Sequence, residues 1–129
     1  MHNPVIHVVD DQQLMRDVVR HILIQGGISQ DIVSHSSAKS LLSTLERGDK
    51  CDVVLSDWNM PEMSGLEMLK QLRANPHSRI RNMPVILVTG ELKAENVQDA
   101  AQAGVSGYIA KPFQPNVLLQ RVRSVLETL

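Results

Sequence analysis

Four places in the chain carry side chains that could act together on phosphate. Asp10 and Asp11, Asp57, Thr89 and Lys111 each close a short apolar run. Together they offer three carboxylates, a hydroxyl and an ammonium. Carboxylates gathered in one site repel and raise one another's pKa unless a cation neutralises them. Magnesium suits such a donor set, because it is a hard ion that takes oxygen ligands and keeps room for phosphate and water. A carboxylate is also a competent nucleophile towards phosphorus, with Lys111 and Thr89 to meet the phosphoryl oxygens. Each residue alone has a plainer reading. Asp57 could simply begin a turn, and Asp10–Asp11 could complement a helix dipole. Lys111 could be a surface lysine and Thr89 a strand residue. Placement of all of them at strand ends is hard to obtain by chance.

The elements that must position these residues can be read in order. Val5 to Val9 is a short strand interrupted by His7. The segment 14–27 follows, with rows Leu14, Val18, Ile22 and Met15, Val19, Leu23 giving a broad apolar helical face. Asp31 to His35 is a weak, polar strand suited to a sheet edge, and 36–48 is a helix with a Ser start and a Gly stop. Cys51 to Asp57 reads as a strand buried on both faces, ended before Pro61. Ser64 and Glu67 have capping-box spacing for a third helix, closed by Asn75–Pro76. The basic segment 77–82 reads as a solvated loop. Met83 to Gly90 is another buried strand. The Ala-rich helix over 93–104 has little large apolar surface beyond Val97, so it is lightly anchored. Gly107 to Pro112 is the last strand. Pro115 starts a final helix with Leu118, Val122, Val125 and Leu129 on one face. The pattern is (βα) five times, an α/β fold with a doubly wound five-stranded parallel sheet. Right-handed crossovers bring every strand's carboxyl end to one edge, where ligands bind in such sheets.

Composition narrows the classes. The 129 residues suit one domain over 1–129 with a full core. Aromatic content is 2%, so aliphatic residues fill that core. A net charge of −1 argues against a nucleic-acid or membrane-surface partner. Cys51 is the only cysteine, which rules out an internal disulfide and a cysteine-based zinc site. The chain lacks an apolar run of membrane-spanning length and a signal-peptide pattern at its start. These features predict a cytoplasmic location.

Taken together, VVDD at 8–11, SDWNMPEMSG at 56–65, LVTGE at 87–91 and GYIAKPF at 107–113 resemble the receiver domain of two-component response regulators. The likeness covers essentially the whole chain and is strongest to the stand-alone chemotaxis type. It implies a flavodoxin-like strand order of 2-1-3-4-5. It implies Asp57 as phosphoacceptor, fed by a sensor histidine kinase, a histidine phosphotransfer protein or a small acyl phosphate. Mg2+ would be held by Asp11, Asp57 and the backbone carbonyl of Asn59, with Asp10 acting through a water. Lys111 would contact the phosphoryl oxygens, and Lys111–Pro112 would be cis. Thr89 and Tyr108 match the switch pair. Asn59 and Glu91 match the positions that tune phosphoryl lifetime, here in a combination resembling short-lived signals. The helix over 93–104, the last strand and the last helix would form the output surface for a downstream protein. Val97, Tyr108 and Arg121 resemble a face that binds the flagellar motor switch. Two departures stand out: Gln12–Gln13 follow the acidic pair in place of an aromatic residue, and Lys93 sits beside Leu92 and Ala94 where more lysine is usual.

Other readings stay open at this level. The chain could be a receiver cut from a longer regulator with a DNA-binding or enzymatic output domain. A magnesium-dependent phosphatase with an Asp nucleophile would want an acid two residues after Asp10, and Gln12 stands there. A flavodoxin-type carrier would want a phosphate-binding loop after the first strand. The remaining polar residues read as structural. His7 is expected to be a hydrogen-bonded core histidine, the other four histidines are scattered, and Trp58 is expected to be partly exposed beside the site.

Overall fold

Parallel pairing is what five separated strands with helical connections must adopt, and the computed structural model, which describes residues 3–90 and 94–129, has it. The strands are β1 (Val5–Val9), β2 (Asp31–His35), β3 (Val53–Asp57), β4 (Val85–Thr89) and β5 (Gly107–Ala110). They pair in parallel in the order β2-β1-β3-β4-β5. The helices are α1 (Gln13–Gln25), α2 (Ala38–Glu46), α3 (Gly65–Arg73), α4 (Ser78–Arg81), α5 (Ala94–Gln102) and α6 (Pro115–Leu126). The expected fold and strand order are therefore observed.

The sheet's two faces make two cores. Ile6, Val8, Leu55, Ile86 and Ile109 pack against Val19 and Leu23 of α1 and Leu118 and Val122 of α6. Val9, Val54, Val85 and Leu87 pack on the other face against Leu41, Leu45, Met68, Leu69 and Leu72 of α2 and α3. β1, β3 and β4 are sandwiched between these layers, which is why they read as mainly apolar runs, with His7 and Ser56 the buried polar residues inside them. β2 lies at the edge with Asp31 and Ser34 exposed. Ser37 caps α2 by accepting from the Ser40 amide. Ser64 and Glu67 form the full capping box on α3. Among the described side chains of α5 only Ala100 is fully buried, in keeping with its light anchoring.

Three expectations need correction. Leu14 is 77% exposed and Val18 40% exposed. Two adjacent helical rows diverge by about 100°, and the sheet takes the row of Val19 and Leu23 while Leu14 and Val18 turn outward. The segment 77–82 is not wholly a loop. It holds the one-turn helix α4, capped by the His77 ring, which accepts from the Arg79 amide. Ile80 is buried there; a single apolar residue among cations carries no readable period. Leu129 lies past the end of α6 and is exposed.

Several polar groups hold the scaffold. Arg73 donates to the Gly104 carbonyl at 3.1 and 2.7 Å, to Arg81 at 3.0 Å and to Met83 at 2.8 Å. It thereby ties the end of α3 to the turn after α5 and to the α4–β4 loop. His7 is a buried, hydrogen-bonded core histidine as expected, and its partners are the His35 ring and the Lys50 carbonyl. The nitrogens of the two histidines meet at 2.9 Å, with the rings 14° from parallel. Burial lowers the pKa of both, that of His35 to about 4. Gly65 packs its Cα against the end of β3, and a Cβ there would lie 2.4 Å from the Asp57 carbonyl oxygen and 3.0 Å from Leu87 Cδ2.

Two measurements follow. Between pH 6.5 and about 4 the unfolded chain binds protons that folded His35 refuses, so stability falls as pH drops through that window, by about 3 kcal/mol in all. Urea unfolding of the metal-free protein at pH 7 and 4.5 reads this, and His35→Gln flattens the slope. Gly65→Ala forces a methyl group onto backbone and costs about 2 kcal/mol. This appears as a lower urea midpoint with an unchanged slope.

Candidate functional site

The carboxyl edge of the sheet gathers the predicted residues. Asp57 ends β3, Thr89 ends β4, and Asp10 and Asp11 follow β1 directly. Lys111 follows β5, and its amide donates to the Thr89 carbonyl at 2.8 Å. The Lys111–Pro112 peptide is cis. Oxygens of Asp10, Asp11 and Asp57 all lie within 4.8 Å of one another. Lys111 Nζ stands 3.2 Å from Asp57 Oδ1 and 3.9 Å from Asp10 Oδ2.

The three acids differ in setting. Asp10 is buried, Asp57 half-buried and Asp11 exposed. Burial pushes the Asp10 carboxyl up, with repulsion from Asp57 and Asp11 adding to it. The Gln12 amide, 2.9 Å from Asp10 Oδ1, and the Lys111 ammonium oppose that rise. The Asp10 backbone is gripped as well. Its carbonyl accepts from Arg16 Nη1 at 2.7 Å, and its amide donates to the His35 carbonyl at 3.1 Å. Three hard oxygen donors this close, one of them buried with a raised pKa, fit a divalent cation such as magnesium. An acceptor carboxylate beside an ammonium can receive a phosphoryl group without a stepwise build-up of negative charge.

The loop after Asp57 is held from both ends. The Trp58 amide donates to Val88, and the Trp58 carbonyl accepts from Gly65, each at 2.8 Å. Trp58, Met60 and Met63 are half-buried and pack against the core beneath α2 and α3. Asn59 is exposed in this loop. Glu62 adopts a φ of 70°, with the Met63 amide bonded to the Pro61 carbonyl at 2.7 Å across it. This is a three-residue turn with a non-glycine residue at positive φ, a rare and strained backbone that costs about 1–3 kcal/mol. No sequence signal marked it.

Of the remaining predicted residues, Thr89 is buried and Tyr108 half-buried on the neighbouring strand. Glu91 and Lys93 lie outside the described residues. His35 was missed as a site neighbour, because only the parallel register of β1 with β2 brings it beside His7 and Asp10. Among the described residues no helix is long and apolar enough to cross a membrane.

Comparison with known proteins agrees with this geometry. The family model for the response regulator receiver domain matches residues 6–123. The chemotaxis protein CheY-3 of Vibrio cholerae serotype O1 is 38% identical over 127 residues, covering 98% of this chain and 95% of that one. The chemotaxis protein CheY of Pseudomonas aeruginosa is 35% identical over 122 residues, covering 95% of each. Among solved structures, the chemotaxis response regulator CheY4 of Vibrio cholerae superposes with a TM-score of 0.84 at 29% identity, over 96% of this chain and 99% of that one. The receiver domain of the Francisella response regulator 1452 gives 0.85 at 28% identity, over 98% of each. Sheet order, the edge-gathered acids and relatives matched along nearly their whole length agree, and the chain belongs to the response regulator receiver domain family.

Proposed function

We propose that this protein is a phosphoacceptor switch in which Asp57 takes a phosphoryl group from the phosphohistidine of a sensor kinase or phosphotransfer protein, or from a small acyl phosphate. The observation that carries the reading is Asp57 at the end of β3, with the oxygens of Asp10 and Asp11 within 4.8 Å and Lys111 Nζ at 3.2 Å. Asp57 attacks phosphorus and a new P–O bond forms. With phosphohistidine the P–N bond breaks, its electron pair stays on the ring nitrogen, and that nitrogen takes up a proton from water; with an acyl phosphate the P–O bond to the acyl group breaks and a carboxylate leaves. Lys111 turns from Asp57 to an equatorial phosphoryl oxygen. Asp11, Asp57 and the Asn59 carbonyl would hold Mg2+, with Asp10 linked through water. Magnesium, when bound, offsets the charge of the acids and of the phosphoryl oxygens. The same residues return the acceptor to its free state by hydrolysis, so the chain is a self-resetting module rather than an enzyme with a diffusing substrate.

The switch rests on differential contact. Phosphorylation adds negative charge at one point, Thr89 gains an oxygen to bond, and Tyr108 follows inward. A ligand shifts a two-state equilibrium only by its differential affinity for the two states. The small buried surface of α5 makes it the element that responds, and α5, β5 and α6 form the output face. Likeness to proteins named for chemotaxis favours a chemotaxis-type regulator in the cytoplasm, with a flagellar motor switch protein as candidate target. Asn59 and Glu91 favour a short phosphoryl lifetime.

Magnesium followed by a small acyl phosphate is added while Trp58 fluorescence and intact mass are read. The expected result is a metal-dependent fluorescence change and one labile phosphoryl group, absent in Asp57→Asn. Lys111→Ala slows its formation by about 100-fold. A wild-type protein that takes no phosphoryl group with magnesium present overturns the reading.

A further inference from the structure

We infer that His35 is a positioning residue for the acidic pair, held by a one-way hydrogen-bond chain running from Ser40 through His35 and His7 to the Lys50 carbonyl. The inference rests on the phosphoacceptor reading for its purpose, though not for its geometry.

The direction of the chain follows from one fixed end. The Lys50 carbonyl can only accept, and it lies 2.8 Å from His7 Nε2. His7 therefore carries its proton on Nε2. In a neutral ring that leaves Nδ1 as an acceptor. His7 Nδ1 is 2.9 Å from His35 Nε2, so His35 donates there. His35 Nδ1 is then an acceptor, and Ser40 Oγ donates to it at 2.8 Å. The opposite direction would need two protons on His7, a charged ring with 1% of its surface exposed. Burial lowers the pKa of both rings, which keeps them neutral. Every ring nitrogen in the chain is thus satisfied by one arrangement of protons.

What the chain holds is the end of β2. That strand is an edge, with Asp31 and Ser34 exposed and Val33 half-buried. Ile32 is buried on the α1 face, and at the carboxyl end only His35 is buried. Hydrogen bonds to its ring fix this end where apolar packing fixes the central strands. The His35 carbonyl in turn receives the Asp10 amide at 3.1 Å. With Arg16 on the Asp10 carbonyl and the Gln12 amide on Oδ1, Asp10 is braced on three sides. Outer partners of this kind set the orientation, and so the affinity, of groups that ligate a metal.

The test begins on metal-free protein. Nitrogen-15 NMR of labelled histidine at pH 7 is expected to show both rings neutral and protonated on Nε2. His7→Leu removes donor and acceptor, whereas His7→Gln retains one of each. Exchange of the Asp10 amide, taken relative to the central Val54 amide, is expected to quicken about tenfold in His7→Leu and to stay near wild type in His7→Gln. A role in general stability alone would move both amides together. Magnesium affinity is expected to weaken about tenfold in His7→Leu and to recover in His7→Gln. A proton on Nδ1 of either neutral ring, or an Asp10 amide unmoved relative to Val54 in folded His7→Leu, overturns the inference. If His7→Leu does not fold, Ser40→Ala carries the same comparison, and an unmoved Asp10 amide there overturns it equally. Failure of the wild-type protein to bind magnesium would strike the phosphoacceptor reading alone, because ring protonation and amide exchange are read without metal.

Discussion

Three carboxylates within 4.8 Å of one another form a cluster that a protein must hold together against repulsion. Much of this fold serves that end. Two of the acids follow β1 and the third ends β3, and these strands are hydrogen-bonded neighbours buried between two apolar layers. The acids are therefore fixed by backbone that cannot spread without unmaking the core. Lys111 arrives from β5, two strands away, and partly offsets the charge. The site is strong in charge because the scaffold beneath it is rigid and apolar.

That division explains what could be read in advance. The strand ends were legible because β1, β3 and β4 are short apolar runs that stop at polar residues, and parallel topology delivers all such ends to one edge. The capping box at Ser64 and Glu67 was legible because it is a local pattern. Features that depend on pairing between distant segments were not legible. His7 faces Val33 across the β1–β2 ladder, with His35 two positions further on, and no spacing in the sequence announces that register. The outward turn of Leu14 and Val18 depends on which of two adjacent apolar rows the sheet accepts, and periodicity treats both alike. Ile80 failed for want of length, since one turn has no period. Glu62 failed because its φ is imposed by closure of the loop between Pro61 and Met63.

Sheet edges are commonly blunted by charge and polarity, and β2 follows that rule with Asp31 and Ser34. A polar edge beside the acidic pair is a weak support unless something else secures it. The buried histidines supply directional bonds where a greasier strand would have exposed an aggregation-prone edge.

The contacts of Arg73 separate the molecule in a different way. Its guanidinium binds only carbonyls among its described partners, at Gly104, Arg81 and Met83. Dissolved salt screens a pair of opposite charges far more than a half-buried hydrogen bond to a neutral carbonyl. The exposed Arg47–Asp49 pair loosens as ionic strength rises, whereas the half-buried tie from α3 to Arg81 and Met83 in the α4–β4 segment holds. The acid cluster also feels dissolved ions, through weaker repulsion among its carboxylates and weaker attraction to Lys111. Changes in ionic strength thus act on the charged edge of the sheet while the framework that aligns it stays in place.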